Sequence, residues 1–114
     1  SALQDAEEAV RGPLETCPGC RITFAVPAAI AAARARDLDR MAHYEPAVDY
    51  LANVVMRLPA WYAAQDEVRG HLARARGEPE TVAAGAFAAA ASGFRQAGQP
   101  LDAARCDALA AGAP

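Results

Sequence analysis

Cys17-Pro18-Gly19-Cys20 has the sharpest chemical pattern in the chain. Two thiolates on one tight turn can reach adjacent corners of a zinc tetrahedron. A structural zinc site needs four ligands. The further donors on offer are Cys106, His43 and His71, each alone in sequence and on a different predicted helix. The same spacing serves redox chemistry in proteins with βαβ units, a context missing here. The simpler reading is a capped loop with one cysteine buried, and a disulfide that forms on purification. By residue chemistry the four residues make a turn.

The other ionisable groups read as surface. Glu67 precedes His71 by four residues, the spacing of an exposed helical pair rather than of a general base with its partner. Adjacent acids such as Glu7-Glu8 and Asp66-Glu67 point apart on a helix and form no carboxylate dyad. Ser92 stands among alanines and reads as packing. Arg69, Arg74 and Arg76 form a small basic group, read as a solvated face. No catalytic, cofactor or metal residue is assigned, and no enzyme activity or cofactor is expected.

The elements that would position these residues are helices. Apolar residues make up 54% of the 114, and alanine dominates them. Alanine favours helix because it loses no side-chain entropy there. No segment alternates in the manner of a half-buried strand. The net charge of −3 and the lack of a basic stripe argue against nucleic-acid contact. Glu7 and Glu8 sit where a signal peptide's apolar run would be, so none is expected here, and the uncharged run 81–94 is too short and alanine-rich to span a bilayer. Three cysteines without export signals suit a reducing cytosol. The opening Ser1-Ala2, without methionine, is expected of a segment from a longer protein.

Five or six helices are expected. The first spans about 3–15, interrupted at Gly12-Pro13. The second runs from Phe24 or Pro27 to Arg36, with Pro27 in its first turn. The third opens at Asp37 as N-cap and presents Leu38, Met41, Val48, Leu51, Val55 and Leu58 to a core. Pro46 should kink or break it near Tyr44, and Pro59 closes it. The fourth, 60–76, carries Trp61, Ala64, Val68, Leu72 and Ala75 on one stripe and ends at Gly77. The fifth starts at Pro79 with Ala83, Phe87, Ala91 (or Ala90) and Phe94. The sixth, 100–111, has Leu101, Ala104 and Leu109 apolar and Asp102 paired with Arg105. Trp61 and Tyr62 are neighbours and cannot share one core, so Tyr62 is at least partly exposed.

Two corners repeat. Residues 32–39 and 73–80 each read as an Ala/Arg helix end, a tight turn and acid-x-acid at the next helix start. The offset from Asp37 to Glu78 is 41 residues (78 − 37), longer than the roughly 34 of a tetratricopeptide repeat. The stretch 67–78, then Phe87, then Phe94-Arg95-Gln96-Ala97-Gly98-Gln99-Pro100-Leu101-Asp102-Ala103-Ala104-Arg105, resembles the tetratricopeptide-like C-terminal regions of actinobacterial LuxR-type and related ATPase-containing transcriptional regulators. Residues 28–40 look like the preceding repeat. Arg36 departs from the pattern, where the corner prefers glycine, and so does Met41, where a small residue is usual.

The resemblance implies an all-α fold of antiparallel helix pairs, stacked as a short right-handed superhelix over 24–112. Residues 1–23 are expected to hold an N-terminal helix and the cysteine turn. It also implies a non-catalytic interaction and scaffolding module in the cytoplasm. Its partners would be other domains of the same chain, another protein, or a second copy through exposed repeat ends. Neither nucleic acid nor membrane would be contacted directly. Trp61, Tyr62, Arg69 and Arg76 are the expected contact residues. The alternative is a small zinc-binding helical domain centred on Cys17 and Cys20.

Overall fold

Small side chains set the spacing of this fold. The computed structural model describes residues 1–10 and 17–114, Val10 by its backbone alone. Among these residues six α-helices run in order: α1 Ala2–Val10, α2 Pro18–Arg34, α3 Leu38–Tyr50, α4 Pro59–Ala75, α5 Glu80–Gln96 and α6 Pro100–Ala110. A π-helical segment, Leu51–Met56, extends α3. The described residues contain no strand, so the all-α expectation stands. The interruption expected at Gly12-Pro13 lies outside the described residues.

Four helices end on the same hydrogen-bonded corner. After α2, Arg36 N–H donates to the Ala33 carbonyl and Asp37 N–H to that of Ala32, at 3.0 and 2.9 Å. Gly77 and Glu78 repeat the pattern on Arg74 and Ala73, Gly98 and Gln99 on Arg95 and Phe94, and Gly112 and Ala113 on Leu109 and Ala108. Each pair satisfies two carbonyls that a helix end leaves open and turns the chain sharply. The turn needs a left-handed residue. Gly77, Gly98 and Gly112 supply it with φ of 71°, 77° and 104°. Arg36 adopts φ 53° without glycine's freedom. Asp37 then caps α3, its side chain accepting from Arg40 N–H at 3.1 Å.

The prolines depart from expectation. Cys17-Pro18-Gly19-Cys20 is not a free-standing turn: Pro18 is the first residue of α2, where its missing N–H costs nothing. Residues 23 and 24, the expected boundary between segments, therefore lie within α2. Pro27 is inside that helix rather than at its start. Likewise α3 runs past Tyr44 and through Pro46 without a break. An interior proline costs a helix about 3 kcal/mol. Burial on both sides outweighs it: Ile22, Ala25, Ala28, Ala29, Ala32 and Ala33 in α2, and Met41, Tyr44 and Val48 in α3.

The irregularity comes later. At Leu51–Met56 the ladder widens, and Arg57 ends it with φ 52° and an N–H bond to the Ala52 carbonyl. The wider turn rotates the next residues out of register. Val55 and Leu58, expected in the core, are 37% and 51% exposed, and Leu38 at the other end of the stripe is 68% exposed.

Two buried clusters meet at Val26 and Trp61. The first joins α2, α3, the π segment and α4 around Ile22, Met41, Val48 and Leu72. The second joins α4, α5 and α6 around Ala63, Ala90, Phe94 and Cys106. Trp61 packs against both. A smaller cluster around Phe87 includes Ala73, Ala83 and Leu109. Helices α4 and α5 are antiparallel and very close. A β-carbon on Gly93 would come 2.9 Å from that of Ala63, and one on Gly70 would come 2.5 Å from the Phe87 ring. The buried face of α6 is Ala103, Cys106 and Leu109; Leu101 is 85% exposed and Ala104 also faces solvent. Ser92 is exposed rather than packed. Helix α1 is held to α3 by Glu7, which pairs with Arg40 (2.6 Å) and accepts from the Tyr44 hydroxyl (2.5 Å).

Candidate interaction groove

Between α3 and α4 lies a groove of about 440 Å³. Glu45, Pro46, Val48 and Asp49 line it from α3, and Gln65, Val68, Arg69 and Leu72 from α4. Val48, Val68 and Leu72 are core residues whose edges form its floor. The rim is polar and internally bonded. Gln65 Nε2 donates to Asp49 Oδ1 at 2.6 Å, and Asn53 Nδ2 donates to the same oxygen and to Gln65 Oε1, both at 2.9 Å. This triad pins the π segment to α4.

Two arginines border the groove. Arg76 grips Glu45 with both terminal nitrogens, at 2.7 and 3.1 Å. That fork holds the Glu45 carboxyl below its usual range. Arg69 is more than half exposed. It reaches Asp66 at 3.4 Å and Asp49 at 3.9 Å, contacts too long and wet to hold it firmly. Burial raises the Asp66 carboxyl despite that neighbour.

Of the four contact residues expected from sequence, Arg69 lines this groove and Arg76 reaches its edge only through Glu45. Trp61 is turned inward to join the two clusters. Tyr62 is 39% exposed and does not line the groove. Asp49, Gln65 and Asn53 carry no sequence signal, since their meeting depends on the π segment.

The second polar constellation is buried. Glu67, expected on the surface with His71, is 4% exposed, and His71 6%. Helix α4 is covered on both sides, so its polar stripe is also core. Arg105 crosses from α6 to grip Glu67 through Nε and Nη2, at 2.9 and 2.7 Å, while its Nη1 holds Asp102 at 2.6 Å. His71 stands edge-on to Phe87, ring centroids 5.0 Å apart. Burial keeps its pKa below 6.5, and Arg34, Arg74 and Arg105 add to that against Glu67. Arg74 lies 4.8 Å over the other side of Phe87 and donates to the carbonyls of Leu109 and Ala113, at 2.7 and 2.8 Å. It therefore clamps the end of α6 rather than lying on a solvated face.

These groups are committed to packing and pairing. Glu67 is occupied by Arg105, burial holds the His71 pKa down, and burial, with Glu67 nearby, pushes the Cys106 thiol up to about 12. Cys17 and Cys20 are exposed on the first turn of α2, while Cys106 is buried in α6. Among the described residues no three or more His, Cys, Asp or Glu side chains gather as a metal site. No described helix is long and apolar enough to cross a membrane. No known protein family, characterised protein or solved structure matches the chain.

Proposed function

We propose that the chain is a non-catalytic helical-repeat module that binds a protein segment and scaffolds a larger transcriptional regulator. The α3–α4 groove carries this reading. Its floor is apolar, its rim presents Arg69 over half exposed, and its carboxylates are already bonded to neighbours. A groove of this kind fits an extended or helical peptide with an apolar edge and an acidic flank. The repeated corner at a 41-residue offset, and the likeness of 67–105 to repeat regions of LuxR-type regulators, support the scaffolding role and a cytoplasmic setting.

The test is a titration of isotope-labelled protein with short peptides, read by NMR. The expected result is shift changes at Val48, Val68 and Arg69, weakened by Arg69→Glu. Changes confined to other faces, or none across apolar–acidic peptides, would overturn the groove assignment. Light scattering with and without chelator separates the zinc alternative. A chelator-insensitive mass and helix content favour the interaction module. Loss of structure on chelation would move the assignment to a metal site at Cys17 and Cys20.

A further inference from the structure

The first turn of α2 has chemistry that the interaction role does not use. Cys17 is the residue just before the helix and Cys20 is three residues on, so their side chains share one side of the first turn. Pro18 stiffens the turn between them. Gly19 puts no side chain beside the sulfur, where an added β-carbon would be in van der Waals contact with Cys17 Sγ at 3.7 Å. Both thiols are exposed, whereas Cys106 is buried.

The two sulfurs have different surroundings. Cys17 makes no full capping hydrogen bond. The Cys20 backbone N–H, the Cys20 thiol and the Gly19 N–H nonetheless bias it toward the thiolate, so its pKa falls below the ordinary value. The Cys17 sulfur raises that of Cys20. A nucleophilic thiolate beside a protonated partner is the asymmetry that dithiol exchange requires.

We propose that Cys17 and Cys20 form a thiol–disulfide exchange site, with Cys17 attacking, Cys20 resolving, and a low-molecular-weight disulfide as the substrate. The Cys17 thiolate attacks one sulfur of R–S–S–R. That S–S bond breaks and R–S⁻ leaves with the electron pair, taking a proton from water. Cys20 then loses its proton to water and attacks the Cys17 sulfur, expelling the second R–S⁻, which is protonated in turn. The two cysteines are oxidised by two electrons to one disulfide, and R–S–S–R is reduced to two R–SH. The reverse reaction resets the pair in excess R–SH.

The test uses the whole chain at about pH 7 with glutathione disulfide, quenched with acid and read by mass spectrometry. Wild type should close a Cys17–Cys20 disulfide while Cys106 stays reduced. Cys20→Ser should stop as a glutathione adduct on Cys17. The Cys20 backbone N–H that favours the Cys17 thiolate remains in Cys20→Ser. Cys17 in Cys20→Ser should therefore react with iodoacetamide at least about twofold faster than Cys20 in Cys17→Ser. Circular dichroism and an unreactive Cys106 report that each variant is folded. Equal rates in the two variants, or adducts on both cysteines without ring closure, would overturn the proposal.

Discussion

The Phe87 ring of α5 lies directly on the backbone of α4 at Gly70, so close that a single added methyl would stand 2.5 Å from a ring carbon. Phe87 is fully buried, with His71 against its edge and Arg74 over its face. It has nowhere to move. Gly70→Ala should destabilise the fold by about 1–3 kcal/mol through overpacking. Gly85, in the same helix as Phe87, meets nothing within 4 Å. Gly85→Ala should stabilise by about 0.5–1 kcal/mol through helix propensity alone. Denaturant unfolding of both variants checks the opposite signs.

Arg36 occupies a corner where the equivalent helices use glycine. A side chain in the left-handed region costs about 1–2 kcal/mol, and glycine gives back part of that in unfolded-chain entropy. Arg36→Gly should raise stability by about 0.5–1 kcal/mol, with the melting temperature up by about 4 °C. No gain on melting would mean that Arg36 makes a compensating contact.

The Glu67–Arg105 pair joins α4 to α6 with one partner buried and the other half exposed. Arg105→Ala leaves the Glu67 charge without its partner and should cost about 1–3 kcal/mol, moderated by water at the arginine side. Replacing both, as Glu67→Met with Arg105→Met, should recover most of that loss. A double-mutant cycle measures the coupling. Additive losses would show that the pair is not energetically linked.

His71 makes stability depend on pH. Its folded pKa lies below the ordinary 6.5 because it is buried. As pH falls through 6.5 the unfolded chain takes up a proton that the folded chain refuses, so stability drops, then levels once folded His71 also protonates. Asp37 and Glu45 are held below their usual 3.8 and 4.5, so their stabilising contribution is lost only in that lower window. Unfolding free energies at about pH 7.5 and pH 5 should show the first decline, and His71→Gln should flatten it. An unchanged slope in the variant would assign the decline elsewhere.

Helix corners were legible in sequence because glycine and Asp37 have local, chain-encoded reasons to be there. Gly77 and Gly98 mark left-handed residues, and Ala83, Phe87, Ala91 and Phe94 keep one face by spacing alone. Pro18, Pro27 and Pro46 misled for a physical reason. Locally Pro18 makes a turn, Pro27 starts a helix and Pro46 kinks one, yet the burial that carries α2 and α3 through Pro27 and Pro46 involves residues on other helices. Glu67 and His71 looked exposed because one stripe of α4 was already assigned to a core. That α4 is covered on both sides follows only from the packing of α2, α5 and α6. The groove rim was illegible because Asp49, Asn53 and Gln65 meet through the π segment, which has no residue signature here.

The four repeated corners also bear on how the chain finds its fold. Three of them tie a helix to its successor, and the main packing pairs are α2 with α3, α4 with α5, and α5 with α6. Contacts that are short in sequence close small loops, so little entropy is lost before packing rewards it. The search is largely a succession of local hairpins, and the docking of α2 on α4, through Val26 and Trp61, joins distant parts. Opening should take the same seams in reverse: α6 can detach while the α2–α3 pair stays closed, so its amides should exchange with solvent ahead of those at Trp61.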